Sequence, residues 1–585
     1  MKENLISPYP ITHFPKLTDR KAKIITTLGP ASSSIAMIEK LINMGADVAR
    51  VNMSHGTHET HRLLINNIRH ASSLAKREIG ILLDLQGPKI RVSKLVSPLE
   101  LVAGDEWYIL SEKDIIHFKE NSDKIIPTTY EHFVQDVEEN SNVLFDDGLL
   151  EAVVISKNKF AAKIKIKIGG LLKSNKGINL PNVKVSAPSL TEKDEQDLYF
   201  GIKNGADYIA LSFVREAEDI LKVRYILHQL KIDLPIISKI EKPEALVNLD
   251  DILKVTDIIM IARGDMGVEV GNHLVPSIQK NIIAQCNARG VPVITATQML
   301  ESMITNPRPT RAEASDVANA IWDGTDAVML SAESASGQYP IEAVQMMNDL
   351  VIEAERTPRE RPFLRNVALD DVTSANQVAA SLIAEKINAK WIIALTERAR
   401  SCLKMTRFRP RTPVLGVTQS LQALRRMGIY WGTIPYFFRK EESQLPNAEM
   451  AVIEKLKNSK LVHNGDKVVI THGDGSTFKQ GTANSIRVEL IKGLKRVDDN
   501  SKVSNVMDSS DYQIVETQNL KMILDIEQCS SCQNCIGVCP FGIWSSKLSD
   551  KGQTRIDKDR IDACTLDSAC VEICPTGAIE LIIKS

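Results

Sequence analysis

The chain has 585 residues, 43% of them apolar and 25% charged, with 72 Lys and Arg against 73 Asp and Glu and a formal net charge of −1. At roughly 100–200 residues per domain, this length predicts several domains, each able to bury its own core. The balanced charge excludes the broad basic field that nucleic-acid binding needs. The longest apolar runs, such as Ile79–Leu83 and Ile258–Ala262, fall far short of the roughly 20 residues that cross a bilayer. The opening MKENLISPYPITHFP lacks the apolar stretch of a signal peptide. A cytoplasmic protein with no membrane and no nucleic-acid partner is expected.

Residues 1–19 read as an N-terminal segment. From residue 20, short β-branched runs alternate with helical stretches. The runs are Lys23–Leu28, Asp47–Met53, Ile79–Leu85, Asp207–Phe213, Pro235–Ile240, Asp257–Ile261, Pro292–Thr297 and Asp326–Leu330. Their near-continuous hydrophobicity suits parallel strands covered on both faces. Eight such units predict an α/β protein with a (β/α)8 TIM barrel over 20–87 and 187–350, its active site at the C-terminal strand ends. A doubly wound open sheet is the alternative at this point. Residues 88–186, with LVAGDEWYIL, NVLFDDGLLEAVVI and FAAKIKIKIGG, predict an inserted β-barrel-like lid domain over the barrel mouth. A second α/β pattern occupies 351–492, a polar linker is expected over 493–519, and a cysteine-rich module fills 520–585.

Each run delivers chemistry at its end. The second ends RVNMSH, the third DLQGPKIR, the fifth SKIE, the sixth ARGD, the seventh TATQ and the eighth SAES. Lys239, Glu241 and Asp265 therefore converge on one rim. Two carboxylates with a lysine beside them suit a hard divalent cation, Mg2+ or Mn2+, and an anionic substrate. For any single residue, a solvated rim of paired charges is the plain alternative.

The segments KAKIITTLGPAS, ARVNMSHGTHE, LLDLQGPKIR, NKGINLP, SLTEKDEQD, IISKIE, IARGDMGVE, ITATQMLESMITNPRPTRAEASDVANAI and VMLSAESA resemble the pyruvate kinase family over about residues 20–490. The resemblance implies phosphoryl transfer between phosphoenolpyruvate and ADP, giving pyruvate and ATP, in a homotetramer. It implies that Arg50 holds the transferred phosphoryl group and that Glu241 and Asp265 bind the divalent ion. Lys239 would face the developing enolate, and Thr297 would serve protonation on its opposite face. The amides of Gly264 and Asp265 would hold the substrate carboxylate, and Asn52, His55, Arg91 and Lys176 would border the nucleotide phosphates. Relatives that need K+ hold it with positions matching Asn52, Ser54, Asp84 and the Leu85 carbonyl, and carry Glu where this chain has Lys89. A fixed ammonium there predicts activity without K+, the alternative being a lysine that faces solvent. The second α/β domain resembles the family's regulatory domain. Thr396, Arg400 and Ser401 match positions that cradle the phosphate of a small-molecule effector. The loop reads TERARS, with Arg398 and Ala399 where small residues and glycine are more usual, which stiffens it.

Two of the nine cysteines, Cys286 and Cys402, lie alone; the other seven fall between Cys529 and Cys574. A clustered, odd set argues for metal or cluster ligation rather than disulfides. Cys529, Cys532, Cys535 and Cys539-Pro540 make the C-x2-C-x2-C-x3-C-P run of bacterial ferredoxins. A second run, Cys564, Asp567, Cys570 and Cys574-Pro575, repeats the spacing with Asp567 in place of a cysteine. The resemblance to two-cluster ferredoxins implies an appended α+β ferredoxin-like domain with crossed ligation. Cys529, Cys532, Cys535 and Cys574 would hold one 4Fe-4S cluster. Cys539, Cys564, Asp567 and Cys570 would hold a second, 4Fe-4S or 3Fe-4S, because a carboxylate is a harder and weaker ligand for that iron. Zinc, or a single cluster, is the alternative. Two functions stand at this stage. One is an active kinase whose clusters serve redox sensing, electron transfer or docking to a redox partner protein. The other is an electron carrier on a catalytically silent scaffold, and the intact set Arg50, Lys239, Glu241, Asp265 and Thr297 favours the first.

Overall fold

The computed structural model describes residues 20–118, 123–357, 371–439, 448–473 and 483–491. Toward the C-terminus it describes 503–508, 512–517, 520–530, 532–538, 543–545, 554–557, 569–572, 574, 576 and 578–583. The expected N-terminal segment 1–19 lies outside the described residues.

Eight parallel strands close into a barrel, each one at an expected run. They are β1 (Lys23–Thr27), β2 (Val48–Asn52), β3 (Gly80–Asp84), β4 (Tyr208–Val214), β5 (Ile236–Ile240), β6 (Ile258–Ala262), β7 (Val293–Ala296) and β8 (Ala327–Leu330). β1 pairs with both β2 and β8, which shuts the sheet and rules out the open doubly wound alternative. The strands are buried along almost their whole length because helices cover one face and neighbouring strands' side chains fill the other. Alternation sorts the two sides: Ile24 and Ile259 pack among the helices, while Ile25, Leu82, Ile237 and Met260 fill the interior.

Ile429 joins that interior set, and the Tyr208 hydroxyl donates to the carbonyls of Arg425 and Arg426 at 2.9 and 2.7 Å. Gly80 makes room for the tyrosine ring: a Cβ there would sit 2.7 Å from Tyr208 Cε2.

The insertion leaves the barrel after β3. Its main sheet has six strands in the order Ile178–Asn179, Asn142–Phe145, Leu150–Lys157, Ala162–Ile168, Glu106–Ser111 and Ile125–Thr128. The AKIKIKI strand shows why it has two faces. Ala162, Ile164 and Ile166 are buried in the insertion's own core, and the intervening lysines are not. At the exit, Gly87 has φ +69°, and a Cβ would come within 2.9 Å of both Phe213 Cδ2 and Ser212 Cβ. Its amide donates to the buried Asp194 at 3.0 Å, so the lid starts from a backbone pressed against β4.

The helix Pro340–Arg356 runs through the boundary expected at 350/351. The second α/β domain then builds a parallel sheet in the order Thr433–Phe437, Val414–Thr418 and Trp391–Leu395, and two further strands, Lys467–Gly473 and Ala483–Leu490, follow in the chain.

The cysteine-rich module is an α+β unit, with an antiparallel sheet in the order Val503–Asp508, Tyr512–Thr517, Leu520–Asp525 and Ile579–Ile583. This corrects the expected linker: 503–508 and 512–517 are strands of the module. Polar composition hid the alternation in YQIVET, where the Gln513 and Val515 side chains turn to the buried side. The buried Gln513 amide donates to the Ile556 carbonyl (3.2 Å) and accepts from the Ile556 amide (2.7 Å), which docks the short strand Arg555–Ile556.

One buried cation ties the second α/β domain to the barrel. Arg409 donates to Asp326 (2.6 Å), to Asn287 (2.8 Å) and to the Gly324 carbonyl (2.8 Å), and lies 4.9 Å from the centre of the Trp431 ring. Removing one partner of a buried pair strands the other charge. Arg409→Ala is expected to cost about 3–5 kcal/mol, read as a lower urea midpoint, and adding Asp326→Asn should recover part of the loss.

Candidate active site

The site lies at the C-terminal ends of the barrel strands, where side chains from different strands form an alternating chain of charge. Arg50, in β2, donates to Asp84 Oδ2 at 2.7 Å through Nε and Nη2, and to Thr27 at 3.0 Å. The Lys239 ammonium, in β5, donates to Ser212 Oγ at 2.7 Å and stands 3.4 Å from Asp84 Oδ1 and 3.0 Å from Glu241 Oε1. The Ser212 hydroxyl in turn donates to the Leu85 carbonyl at 2.7 Å. Asp84 and Glu241 are almost wholly buried, and Lys239 is 12% exposed.

Burial disfavours charge on Lys239, but the carboxylates of Asp84 and Glu241 outweigh it and hold its pKa above the ordinary lysine value. Burial also works against ionised Asp84, yet Lys239 and Arg50 bring its pKa below normal. For Glu241, burial dominates: Lys239 pulls its pKa down, the Asp265 carboxylate pushes it up, and the net direction is upward. A buried carboxylate whose ionisation a neighbouring carboxylate makes costlier is a place a cation would relieve.

The donor set fits that cation. Glu241 Oε2 accepts the Phe213 amide at 2.7 Å, whereas Oε1 is buried and, despite the ammonium 3.0 Å away, makes no hydrogen bond of good geometry among the described residues. A hard oxygen left in this condition, next to the partly exposed Asp265, suits Mg2+ or Mn2+. Asp265 acts electrostatically on both Lys239 and Glu241.

Strained backbone aims several of these groups. Phe213 has φ +55°, at an irregularity between Leu211 and Val214 in the pairing of β4 with β5. This is an unusual conformation for a bulky side chain, and it turns the amide onto Glu241. Thr297 and Gln298, just past β7, have φ +61° and +53°. Arg263 holds them, donating to the Thr297 carbonyl at 2.8 Å and the Gln298 carbonyl at 3.0 Å while paired with Asp316 at 2.7 Å. The sequence reading passed over Ser212, Phe213 and Arg263. Arg263 left a signal, an arginine inside the ARGD strand end, whereas the strained Phe213 left none.

Other expected residues are placed differently from one another. The Gly264 amide is engaged by Thr297 Oγ1 at 2.8 Å, within the helix Arg263–Val270 that also carries Asp265. His55 has its pKa lowered by burial and then by Arg91, Lys89 and Arg50, which marks a cationic arc suited to phosphates. Arg91 donates to the Asn175 carbonyl (2.9 Å), and Lys176 pairs with Asp146 at 2.6 Å, so Lys176 is already engaged. Among the residues matching the K+ site, Asn52 accepts the Ser54 amide at 3.1 Å, while Asp84 and the Leu85 carbonyl have the partners given above. Lys89 Nζ lies 3.8 Å from Asp265 Oδ1, with its side chain 28% exposed; it points at a carboxylate and not simply into solvent.

Thr396 is buried directly after the strand Trp391–Leu395, and Arg400 opens the seven-residue helix Arg400–Thr406 after Ala399, which adopts φ +63°. That left-handed residue is where a glycine would be at ease. In the module, Cys535 and Cys570 are buried in one core, against which Cys529 and Cys574 pack, and Cys532 is exposed. Cys539, Cys564 and Asp567, three of the four expected ligands of the second cluster, lie outside the described residues.

Comparison with known proteins agrees with this arrangement. Residues 19–344 match the family described as pyruvate kinase, barrel domain, and 376–489 match pyruvate kinase, alpha/beta domain. Residues 528–579 match a 4Fe-4S dicluster domain. A pyruvate kinase of Staphylococcus epidermidis is 42% identical over 480 residues, covering 81% of this chain and 80% of the relative. One of Staphylococcus aureus (strain MRSA252) is 43% identical over 478 residues, with the same coverage. Barrel, charge chain and relatives converge: this chain belongs to the pyruvate kinase family and carries a 4Fe-4S dicluster domain at its C-terminal end.

Proposed function

We propose that the chain uses Arg50, Lys239, Glu241, Asp265 and Thr297 to move the phosphoryl group of phosphoenolpyruvate to ADP. The single observation that carries this reading is the Lys239 ammonium held among Asp84, Glu241 and Ser212 at the barrel mouth. Phosphoryl transfer asks for positioning and charge neutralisation more than covalent work by the protein. The bond from phosphorus to the enol oxygen breaks as one forms to the ADP β-phosphate oxygen, and the enolate then takes a proton at its terminal carbon. Arg50 faces the moving phosphoryl group, and Lys239 steadies charge on the enol oxygen. Thr297, held by Arg263, orients the proton path on the other face, through water. Glu241 and Asp265 would hold a divalent ion, Mg2+ or Mn2+, which would supply further charge neutralisation. Asn52, His55, Arg91 and Lys176 border the nucleotide, the Gly264 and Asp265 amides serve the substrate carboxylate, and the lid excludes water.

Lys89 stands in for K+ at the site of Asn52, Ser54, Asp84 and Leu85. A phosphorylated effector binds at Thr396, Arg400 and Ser401. The chain acts in the cytoplasm as a homotetramer; among the described residues no helix is long and apolar enough to cross a membrane. The module holds a 4Fe-4S cluster on Cys529, Cys532, Cys535 and Cys574. A second cluster uses Cys539, Cys564, Asp567 and Cys570, and the pair serves redox sensing, electron transfer or docking to a redox partner.

Lys239→Met should lower turnover by about three orders of magnitude, in keeping with loss of a transition-state stabiliser, in a lactate-dehydrogenase-coupled assay with the circular dichroism spectrum unchanged. Near-normal turnover in that variant would refute the assignment, and an inactive wild-type protein would leave the silent-scaffold reading. Initial rates in tetramethylammonium and K+ buffers should agree within about twofold, the scale of a minor electrostatic term, and Lys89→Glu should introduce a K+ requirement. Strong K+ stimulation of the wild type would count against Lys89. Anaerobically purified protein should contain iron and acid-labile sulfide, and Asp567→Cys should suppress any three-iron electron paramagnetic resonance signal formed on oxidation. Zinc without sulfide would end the cluster reading.

A further inference from the structure

Behind the two candidate metal carboxylates lies a second pair of charges. Lys242 directly follows Glu241, and Glu269 lies one helical turn beyond Asp265 on the helix Arg263–Val270. Their side chains, 11% and 1% exposed, meet with Lys242 Nζ 2.7 Å from Glu269 Oε1. Each member of this pair is thus fixed to one candidate metal ligand through very short backbone. The pair closes a bracket: Glu241 and Asp265 in front, Lys242 and Glu269 behind.

The same Glu269 oxygen accepts Asn179 Nδ2 at 3.0 Å. Asn179 belongs to the lid, in the two-residue strand Ile178–Asn179 that pairs with Asn142–Phe145. The other oxygen, Glu269 Oε2, is buried and makes no hydrogen bond among the described residues. Lys89, Asn179, Phe213, Lys242 and Glu269 line a cavity of about 30 Å3, enough for a water molecule. A buried ion pair roughly breaks even against an apolar pair of the same volume, so stability alone gives no reason to place one here. A pair that fixes distance does give one. Metal carboxylates must be held to within fractions of an ångström, and the groups behind them set that precision.

We propose that Glu269 is a positioning residue: through Lys242 it sets the spacing of Glu241 and Asp265, and through Asn179 it seats the lid strand on that same brace. The inference rests on Glu241 and Asp265 being the divalent-ion pair, and the experiment separates the two claims. Mn2+ binding to the full-length protein is measured by electron paramagnetic resonance without substrate. Wild-type protein binds, and Glu241→Gln abolishes or sharply weakens binding. If the wild type bound no Mn2+, or Glu241→Gln bound it equally well, both the metal pair and the brace would be overturned. With the metal pair standing, Glu269→Gln weakens Mn2+ about tenfold, within the range for loss of a supporting group. The half-saturating Mg2+ in turnover rises in step. The double variant Lys242→Met/Glu269→Gln removes both charges, so it folds with no stranded ion and shows the same weakened binding. Asn179→Ala keeps Mn2+ affinity within about twofold and lowers kcat/KM for ADP at least about fivefold, the signature of a disturbed lid. A folded Glu269→Gln or double variant that binds Mn2+ like wild type overturns the brace, and Asn179→Ala with unchanged kcat/KM overturns the lid seat.

Discussion

Much at the barrel mouth depends on one constraint: the buried charges of Arg50, Asp84, Lys239 and Glu241 each lie beside an opposite charge. Asp84 is the pivot, since its two oxygens serve Arg50 and Lys239. A lone carboxylate at this depth would protonate, and a lone ammonium would lose its proton. Strand order solves the problem. β2, β3, β4 and β5 are consecutive neighbours around the barrel, so Arg50, Asp84, Ser212 and Lys239 come into contact through parallel pairing alone. What is left over is one buried Glu241 oxygen with no hydrogen bond among the described residues, beside the partly exposed Asp265, and it marks where a cation would be held.

That arrangement is bought with backbone strain. Phe213, Thr297 and Gln298 each hold a left-handed conformation without being glycine, at a cost of order 1–3 kcal/mol apiece. In each case the neighbours over-determine the geometry. Glu241 captures the Phe213 amide, and Arg263 captures the carbonyls of Thr297 and Gln298. Gly87, pressed against Ser212 and Phe213, carries the same tight packing to the first residues of the lid.

Most of this was legible from sequence because it follows from periodicity and strand-end chemistry. All eight barrel strands fall on the expected runs, and the strand-end residues Lys239 and Glu241 lie side by side. The rest was illegible for particular reasons. Phe213 looks like an ordinary strand residue; only the bulge makes it a donor. Lys242 and Glu269 are far apart in sequence, and their pairing depends on how the helix Arg263–Val270 lies against the end of β5. The strands 503–508 and 512–517 were concealed by polar residues, since a strand with Gln513 inside and buried by a side-chain amide bridge breaks the hydrophobic alternation that reveals strands.

On the proposed reading, Lys89 takes the place of a diffusible monovalent cation. A diffusible monovalent cation neutralises charge only while bound, so its contribution varies with salt. A tethered ammonium is present at fixed stoichiometry, and the loss of its rotamer freedom is its only ordering cost. Its reach matters more than its charge. Lys89 stands 3.8 Å from Asp265 and, after burial and with Arg91 and Arg50, contributes to lowering the His55 pKa. Asp84 already has Arg50 and Lys239. A cation at residue 89 therefore acts less on Asp84 than on the boundary between the acidic pair and the phosphate-facing arc, where an ADP phosphate and a divalent ion would have to share space. Lys89 thereby extends an arc of positive charge that Arg50 and Arg91 begin.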